Sequence, residues 1–451
     1  MGSNGTLTFG VELEFLTPYV KNGCKDPRDG DPRHIPVEIP PSSTTNGLPP
    51  GQLSTERNDG ISQPSKDPMR DLIVTQVFHT LQGHAGVPLR IAKTYPTHRG
   101  EDGIYREHRK WNLTEEESLE ELDIGGRAPN EYAWVGVEVT SPICTAQISE
   151  EGMYMPRKSD RDDLATVCRV LRGRVRCAVN QGTGDHRVGM HVHIGRGGQG
   201  FGVLELKKFA TLMWISEPVW MDLHANWRKG YRYARTMSTV STLANLNDTT
   251  RRKRPSERYM PQMRELLPES MIAGSAGREM ALLWGAETVD ELVLYLCRND
   301  QVGRMGFGFR ELVDNPRKAK QTRQNTIEWR HMQGSLDPEQ ITQWTVVCLR
   351  MVQLAECGHE DEFKETIQGV HQGWLKGKEL SGRYSATQFL HDIGLPRQAA
   401  YFESVKQRTE EEAIPTACEE NNWKDLFLPP MGEEIQVPTA DECKTSWQAT
   451  S

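Results

Sequence analysis

Four short segments of the 451-residue chain place chemically competent side chains two residues apart or flank them with apolar neighbours. They are Glu12 and Glu14 in the run Phe9 to Phe15, Glu138 in Gly136 to Thr140, His191 and His193 in Gly189 to Ile194, and Glu328 with Arg330 in Thr326 to His331. On a β-strand, side chains two apart share a face. Each segment therefore sets its Glu, His or Arg on one side and its Val, Leu, Phe, Ile, Met or Trp on the other. Clustered carboxylates repel one another, and divalent cations relieve that repulsion. Mg²⁺ prefers oxygen ligands and divides its shell between one or two carboxylates and substrate phosphates. A neutral His can complete such a site, and an Arg can neutralise phosphate charge. The set describes a polar sheet face that holds a metal–nucleotide complex.

Taken singly, each segment has a plain reading, because polar–apolar alternation marks any half-buried strand. Together they depart from the Thr, Lys and Ser that solvent-facing strands usually carry. The elements that must position them follow from the pattern. Thr8 to Phe15, Tyr132 to Ile143 and Val188 to Ile194 read as strands, and Gly306 to Val313 with Thr326 to Met332 as a hairpin with a long connection. Helices are expected from Met69, over Asp162 to Asn180, along the stripe Leu206 to Trp227 with Pro218 as a kink or restart, and after the Asp337-Pro338 cap. Lys21 to Pro68 is rich in Pro, Gly, Ser and Asp and reads as a flexible surface insertion. From about Gln407 the chain is acidic and weakly patterned, a tail.

A formal charge of −8 gives no general reason to expect nucleic acid or an acidic membrane as partner. No apolar run approaches a membrane span, and no apolar signal segment opens the chain, so a cytoplasmic location is expected. Gly2 and Thr6 fit the loose myristoylation pattern, for which a polar lead-in is the simpler reading. Nine scattered cysteines without a CxxC pair fit reduced thiols, and leave the Asn112 sequon without a secretory route. The basic run Arg251 to Arg254 reads as a solvated loop, and the aromatic–basic cluster Lys229 to Arg235 as a weaker candidate for substrate contact. The glycine-rich stretch Gly195 to Gly202 lacks the Gly-Lys-Ser/Thr ending of a P-loop.

These segments resemble, in order, motifs of the glutamine synthetase and glutamate–cysteine ligase superfamily, most nearly the fungal-type amidoligases. The shared motifs are Gly-x-Glu-x-Glu at Gly10 to Glu14, a Glu followed by Ser-Pro-Ile at Glu138 to Ile143, His-x-His, and Glu-x-Arg leading to Gly-x-Leu-Asp at Gly334 to Asp337. The resemblance implies one catalytic domain over residues 1–404, with the 21–68 insertion inside it and an acidic extension over 405–451. It implies an α+β fold, a curved antiparallel sheet with helices on its outer face, and an ATP-dependent ligase that uses Mg²⁺ or Mn²⁺. Glu12, His191 and Glu328 would hold one metal, and Glu14 and Glu138 a second. His193 would contact ATP phosphate, and Arg330 the transferring phosphoryl group, with Glu328 and Arg330 as catalytic residues. The substrates would be a carboxylic acid and an amine, small or peptidic. The segments that bind glutamate and ammonium in glutamine synthetase have no match here.

Three other readings stay open on the residues alone. A guanidino-kinase-like phosphotransferase would stop at phosphoryl transfer. A zinc hydrolase would use the His191/His193 pair, against which the excess of carboxylates points to a harder metal. A binding protein on the same fold would catalyse nothing.

Overall fold

The computed structural model describes residues 6–33, 68–91, 106–119, 130–179, 188–197, 199–231, 233–247, 250, 252–297, 305–309, 312–313, 325–356, 359–379, 384–411, 428 and 430–431. Gly2, Arg251, most of the 21–68 insertion and most of the C-terminal extension lie outside them.

The molecule is α+β. Its strands are β1 (Thr8–Val20), β2 (Leu89–Ile91), β3 (Trp111–Glu115), β4 (Tyr132–Thr140), β5 (Cys144–Thr145), β6 (Gln147–Ile148), β7 (Tyr154–Met155), β8 (Gly189–Gly195), β9 (Phe307–Gly308) and β10 (Thr326–Gln333). Eight of them form one open sheet in the order β2-β3-β4-β1-β8-β10-β9, with β5 pairing the start of β1; β6 and β7 pair separately. All pairs in the large sheet are antiparallel except β2 with β3.

Alternation decides the faces. Val11, Leu13, Phe15, Val137, Val139, Val192, Ile194, Ile327 and Trp329 are buried on one side. The helices α1 (Pro68–His84), α2 (Lys158–Arg174), α3 (Val203–Trp220) and α4 (Pro338–Ala355) pack among themselves and against the sheet. In α4 every residue from Ile341 to Ala355 is buried, polar ones such as Gln343, Arg350 and Gln353 included. An aromatic cluster ties β9, β10, α3 and α4 together: the Phe307 and Trp329 rings lie 4.8 Å apart, Trp220 and Trp344 5.6 Å, and Trp220 and His331 4.8 Å. β10, which carries Glu328 and Arg330, is thereby seated on a rigid bed.

Several elements differ from expectation. β1 continues to Val20, because Leu16 and its partners Leu119, Tyr132, Trp134, Ala178 and Val188 make a second, smaller apolar cluster. The helix expected to reach Asn180 stops at Arg174: Val175 turns to extended backbone, and Ala178 exchanges backbone hydrogen bonds with Leu16. β2 and β3 were not expected; three residues of β2 are too few to show a period. α3 runs through Pro218 and ends at Trp220, short of the Trp227 at which the expected stripe ends, and two short 3₁₀ turns follow at Met221–Leu223 and Asn226–Gly230.

The start of the expected insertion is anchored. Arg176, 2 % exposed, donates to Asp26 Oδ2 at 2.9 Å and to Asp31 O at 2.9 Å, and Tyr132 donates its hydroxyl to Asp26 Oδ1 at 2.7 Å. Arg33 donates to the carbonyl of Leu428 at 2.6 Å, and the Leu428 N–H donates to Cys177 O at 2.9 Å. One point of the C-terminal extension is therefore docked to the body, an ordering that composition cannot announce because one residue makes it.

Asp337 caps α4, its Oδ1 accepting from Glu339 N at 2.9 Å and Gln340 N at 3.2 Å. Removing that cap costs about 1 kcal/mol in comparable helices. Asp337→Ala should lower stability by that order in a denaturant titration, without a change in the slope of the transition.

Candidate metal centre

The strand register brings the expected residues onto one face. Glu12 lies opposite His191 on β8 and opposite Thr140 on β4; Glu14 lies opposite Glu138. His193 lies opposite Gly10 on one side and Glu328 on the other. Seven residues singled out by spacing thus meet across four adjacent strands.

Their side chains form two groups whose ligand atoms in each case lie within 4.8 Å of one another. One is Glu12, His193 and Glu328; the other is Glu14, Glu116 and Glu138. His191 stands between them, its Nδ1 2.8 Å from Glu12 Oε2 and 3.6 Å from Glu328 Oε1, its Nε2 3.4 Å from Glu14 Oε1. The resemblance assigned His191 to the first group and His193 to phosphate; here His193 completes the group and His191 bridges the two. His193 Nε2 lies 3.0 Å from Glu12 Oε1, and its Nδ1 3.2 Å from Thr326 Oγ1. The two imidazoles do not enter one ligand group among the described residues, as a zinc site built on the pair would require.

Glu116 is the member that spacing missed. It directly follows β3, where Trp111 and Leu113 are buried and Asn112, Thr114 and Glu116 take alternate positions. The same alternation that marked the other strands was present but diluted by the neighbouring Glu115 and Glu117. Gly136 opposite this turn is required by close approach: a Cβ there would collide with the carbonyl oxygen of Glu116.

Charge is unevenly distributed. Burial opposes ionisation of Glu12, but His193 and His191 outweigh it and hold its carboxyl well below the usual carboxylate range. Burial likewise opposes ionisation of Glu328, and Arg330 with both histidines lowers it. Glu14 goes the other way: burial raises its pKa and the charge of Glu116 adds to that, although its Oε2 accepts from Gly189 N at 2.7 Å. Glu138 is raised well above the usual value by burial and then by Glu12, Glu116 and Glu14, with Thr140 Oγ1 at 3.1 Å as a weak counterweight. Full ionisation of the all-carboxylate group would therefore place more negative charge there than its surroundings neutralise. Its donor set, three carboxylates with no nitrogen or sulfur, is that of a hard divalent cation such as Mg²⁺ or Mn²⁺. The mixed group suits the same ions with one imidazole.

Arg330 reaches the polar face through a bulge. β10 pairs with β8 at Trp329↔Val192 and again at Met332↔Met190, so Arg330 and His331 together oppose His191. A bulge leaves backbone groups outside the ladder, and Arg228 supplies donors for them: its Nε to His331 O at 3.0 Å and its Nη2 to Arg330 O. Arg228 is 1 % exposed and lies over the Tyr231 ring at 4.7 Å. Gly189 leaves room for this, since a Cβ there would stand 3.1 Å from His191 Nε2, 3.2 Å from Glu14 Oε2 and 3.3 Å from Arg228 Nη2. Arg330 itself ion-pairs with Glu328, and burial notwithstanding, Glu328, Glu14 and Glu12 raise its pKa so that it stays charged.

Other candidates are occupied elsewhere. Lys229 pairs with Asp222, and Lys253 of the basic run pairs with Glu291. Compared with known protein families, curated proteins and solved structures, the chain matches none.

The pKa directions set a pH dependence. Glu14 and Glu138 lose their protons later in the folded chain than in the unfolded one, so their contribution to stability falls as pH rises from the ordinary carboxylate value of 4.5 through the raised values. Glu12 and Glu328 act oppositely, and their contribution is complete by that ordinary value. Measured against Glu138→Gln, the metal-free protein should lose melting temperature from weakly acid towards neutral pH, and Mg²⁺ or Mn²⁺ should restore it more strongly at neutral than at acid pH. Glu138→Gln should raise the metal-free melting temperature at neutral pH and shrink the metal-induced rise. A metal-induced rise independent of pH and of Glu138→Gln would contradict the charge imbalance.

Proposed function

We propose that this chain is an ATP-dependent ligase that joins a carboxylic acid to an amine, working with Mg²⁺ or Mn²⁺ on the polar sheet face. The observation that carries the reading is the division of the face into two ligand groups, one mixed and one all-carboxylate, with a charged Arg330 on β10 paired to Glu328 of the mixed group. Two such groups can anchor a polyphosphate and a second reacting partner side by side. The fold belonging to this reading is a curved sheet of the glutamine synthetase catalytic type. It is supported by the antiparallel order β4-β1-β8-β10 and by helices packed on the apolar face.

Glu12, His193 and Glu328 would hold one ion, and Glu14, Glu116 and Glu138 the other. With Nδ1–H donated to Thr326 Oγ1, His193 presents the lone pair of Nε2, the atom that faces Glu12. When bound, the ions neutralise the terminal phosphates of ATP and bring the reacting groups together. His191, hydrogen-bonded to Glu12 and near Glu14, keeps the two groups at fixed separation. Arg330 offers a permanent positive charge where negative charge gathers on the transferring phosphoryl group. Its aim is set by the bulge and by Arg228 behind it.

The reaction balances in two steps. A carboxylate oxygen of the acid attacks the γ-phosphorus, the bond to the β–γ bridging oxygen breaks, and ADP leaves with an acyl phosphate formed. The amine then attacks the acyl carbon, the C–O bond to phosphate breaks, and the amide forms with release of inorganic phosphate and a proton. Positioning and charge neutralisation supply the rate enhancement.

Glu12→Gln and Glu328→Gln should each abolish Mg²⁺-dependent release of ADP while leaving the circular dichroism spectrum unchanged. The assay pairs ADP release with mass detection of a product equal to acid plus amine minus water, from pooled acids and amines. A phosphorylated product without an amide would indicate the kinase reading instead, and undiminished activity in both variants would rule out the site.

A further inference from the structure

A buried ionisable pair on the apolar side of the sheet belongs to neither ligand group. Glu217 of α3 and His331 of β10 are both 0 % exposed, and Glu217 Oε1 lies 2.8 Å from His331 Nε2. Glu217 Oε2 accepts from Met237 N at 2.6 Å. The His331 ring stands among aromatic neighbours, 4.8 Å from Trp220 and 4.6 Å from Phe307. Burial raises the Glu217 carboxyl well above its ordinary value; burial, and then His224, Arg228 and Arg330, lower the His331 imidazole. Both shifts favour the uncharged forms, with one proton between Oε1 and Nε2. An ionisable pair at this depth stabilises a fold less than well-packed apolar side chains of similar volume, so stability alone is a poor reason for it.

Its place in the hydrogen-bond pattern gives a better one. His331 follows Arg330 inside the bulge of β10; Arg330 turns to Glu328 on the polar face, and His331 to the aromatic cluster. Bulge residues lack the ladder bonds of a regular strand and need other fixings. Arg330 N donates to Gly306 O at 2.7 Å, and Gly306 N donates to Arg235 O at 3.0 Å. Two residues further on, Met237 N is held by Glu217, which returns to His331. The contacts close a ring from Arg330 through Gly306, Arg235, Met237 and Glu217 back to His331. Gly306 fits this ring by having no side chain, since a Cβ there would collide with the His331 imidazole. The position of the Gly306 carbonyl, which holds Arg330 N, is thus tied to the ring that Glu217 keeps in place.

We infer that Glu217 and His331 are positioning residues for Arg330, fixing the bulge from the apolar side of the sheet and with it the place of the guanidinium on the polar face. Arg228 grips only the main chain of the bulge; the pair adds a side-chain anchor that ties β10 to α3. The inference rests on the ligase reading for the step that Arg330 serves.

The test is a double-mutant cycle on Mg²⁺-dependent ADP release by the full chain, with ATP and the pooled acids and amines as substrates. Glu217→Leu should lower kcat about tenfold or more, with KM for ATP changed by less than about twofold. Glu217→Gln keeps an oxygen for Met237 N and offers a hydrogen to His331 Nε2, and should restore most of that loss. In an Arg330→Ala background, Glu217→Leu should cost little further, because the group it positions is already gone. Melting curves confirm that each variant is folded at the assay temperature, and His331→Leu carries the same cycle if Glu217→Leu does not fold. Undiminished kcat in Glu217→Leu would overturn the inference and leave the ligase reading standing. So would an equal loss in Glu217→Gln, or a loss in the Arg330→Ala background as large as in the wild type. No ADP release from the wild-type chain would remove the ligase reading and this inference together.

Discussion

Everything at the polar face depends on the register of β1 between β4 and β8. Strand side chains alternate, so a slip of one residue would turn Glu12 and Glu14 into the core and Leu13 and Phe15 out of it. Burial of Val11, Leu13 and Phe15 beneath the helices makes that slip very costly, and so holds the carboxylates opposite His191, His193 and Glu138. The site is in this sense a by-product of a well-specified core. What the core cannot supply is the balance of charge on the other side.

That balance divides the face. On the β8 and β10 side, histidines and Arg330 keep Glu12 and Glu328 ionised. Towards β3 and β4, Glu14, Glu116 and Glu138 gather with too little positive charge among them, and Glu14 and Glu138 respond by holding their protons more tightly. A protein that only needed a stable sheet gains nothing from this arrangement, since apolar or singly charged residues would cost less there. A divalent cation bound there would convert the repulsion into ligation. Arg228 extends the same economy to the backbone: a buried guanidinium satisfies the two carbonyls displaced by the bulge, and the bulge in turn brings Arg330 onto the face.

Much of this was legible in the sequence because period two is a strong signal where both faces have opposite character. The strands bearing Glu12, Glu138, His191 and Glu328 were marked by that signal, and so was the capped helix at Asp337. Glu116 was not, because its strand is short and its acidic neighbours mask the alternation. Arg228 was not, because its partners are main-chain carbonyls about a hundred residues away. The same holds for Arg176 and the docked Leu428, whose partners are fixed by tertiary contact. The early end of α2 reflects competition: helix periodicity continues through Val175, but the extended pairing of Ala178 with Leu16 prevails. Which of His191 and His193 completes a ligand group depends on ring orientation, which spacing does not encode.

The most direct measurement is a Mn²⁺ titration followed by electron paramagnetic resonance on the intact chain. Two occupied groups on one sheet face predict two bound ions per chain, with spectra broadened by their proximity. Glu138→Gln should remove one ion and Glu328→Gln the other, each leaving an unbroadened spectrum from the ion that remains. Absence of bound Mn²⁺, or two ions retained in both variants, would contradict the assignment of this face as a metal centre.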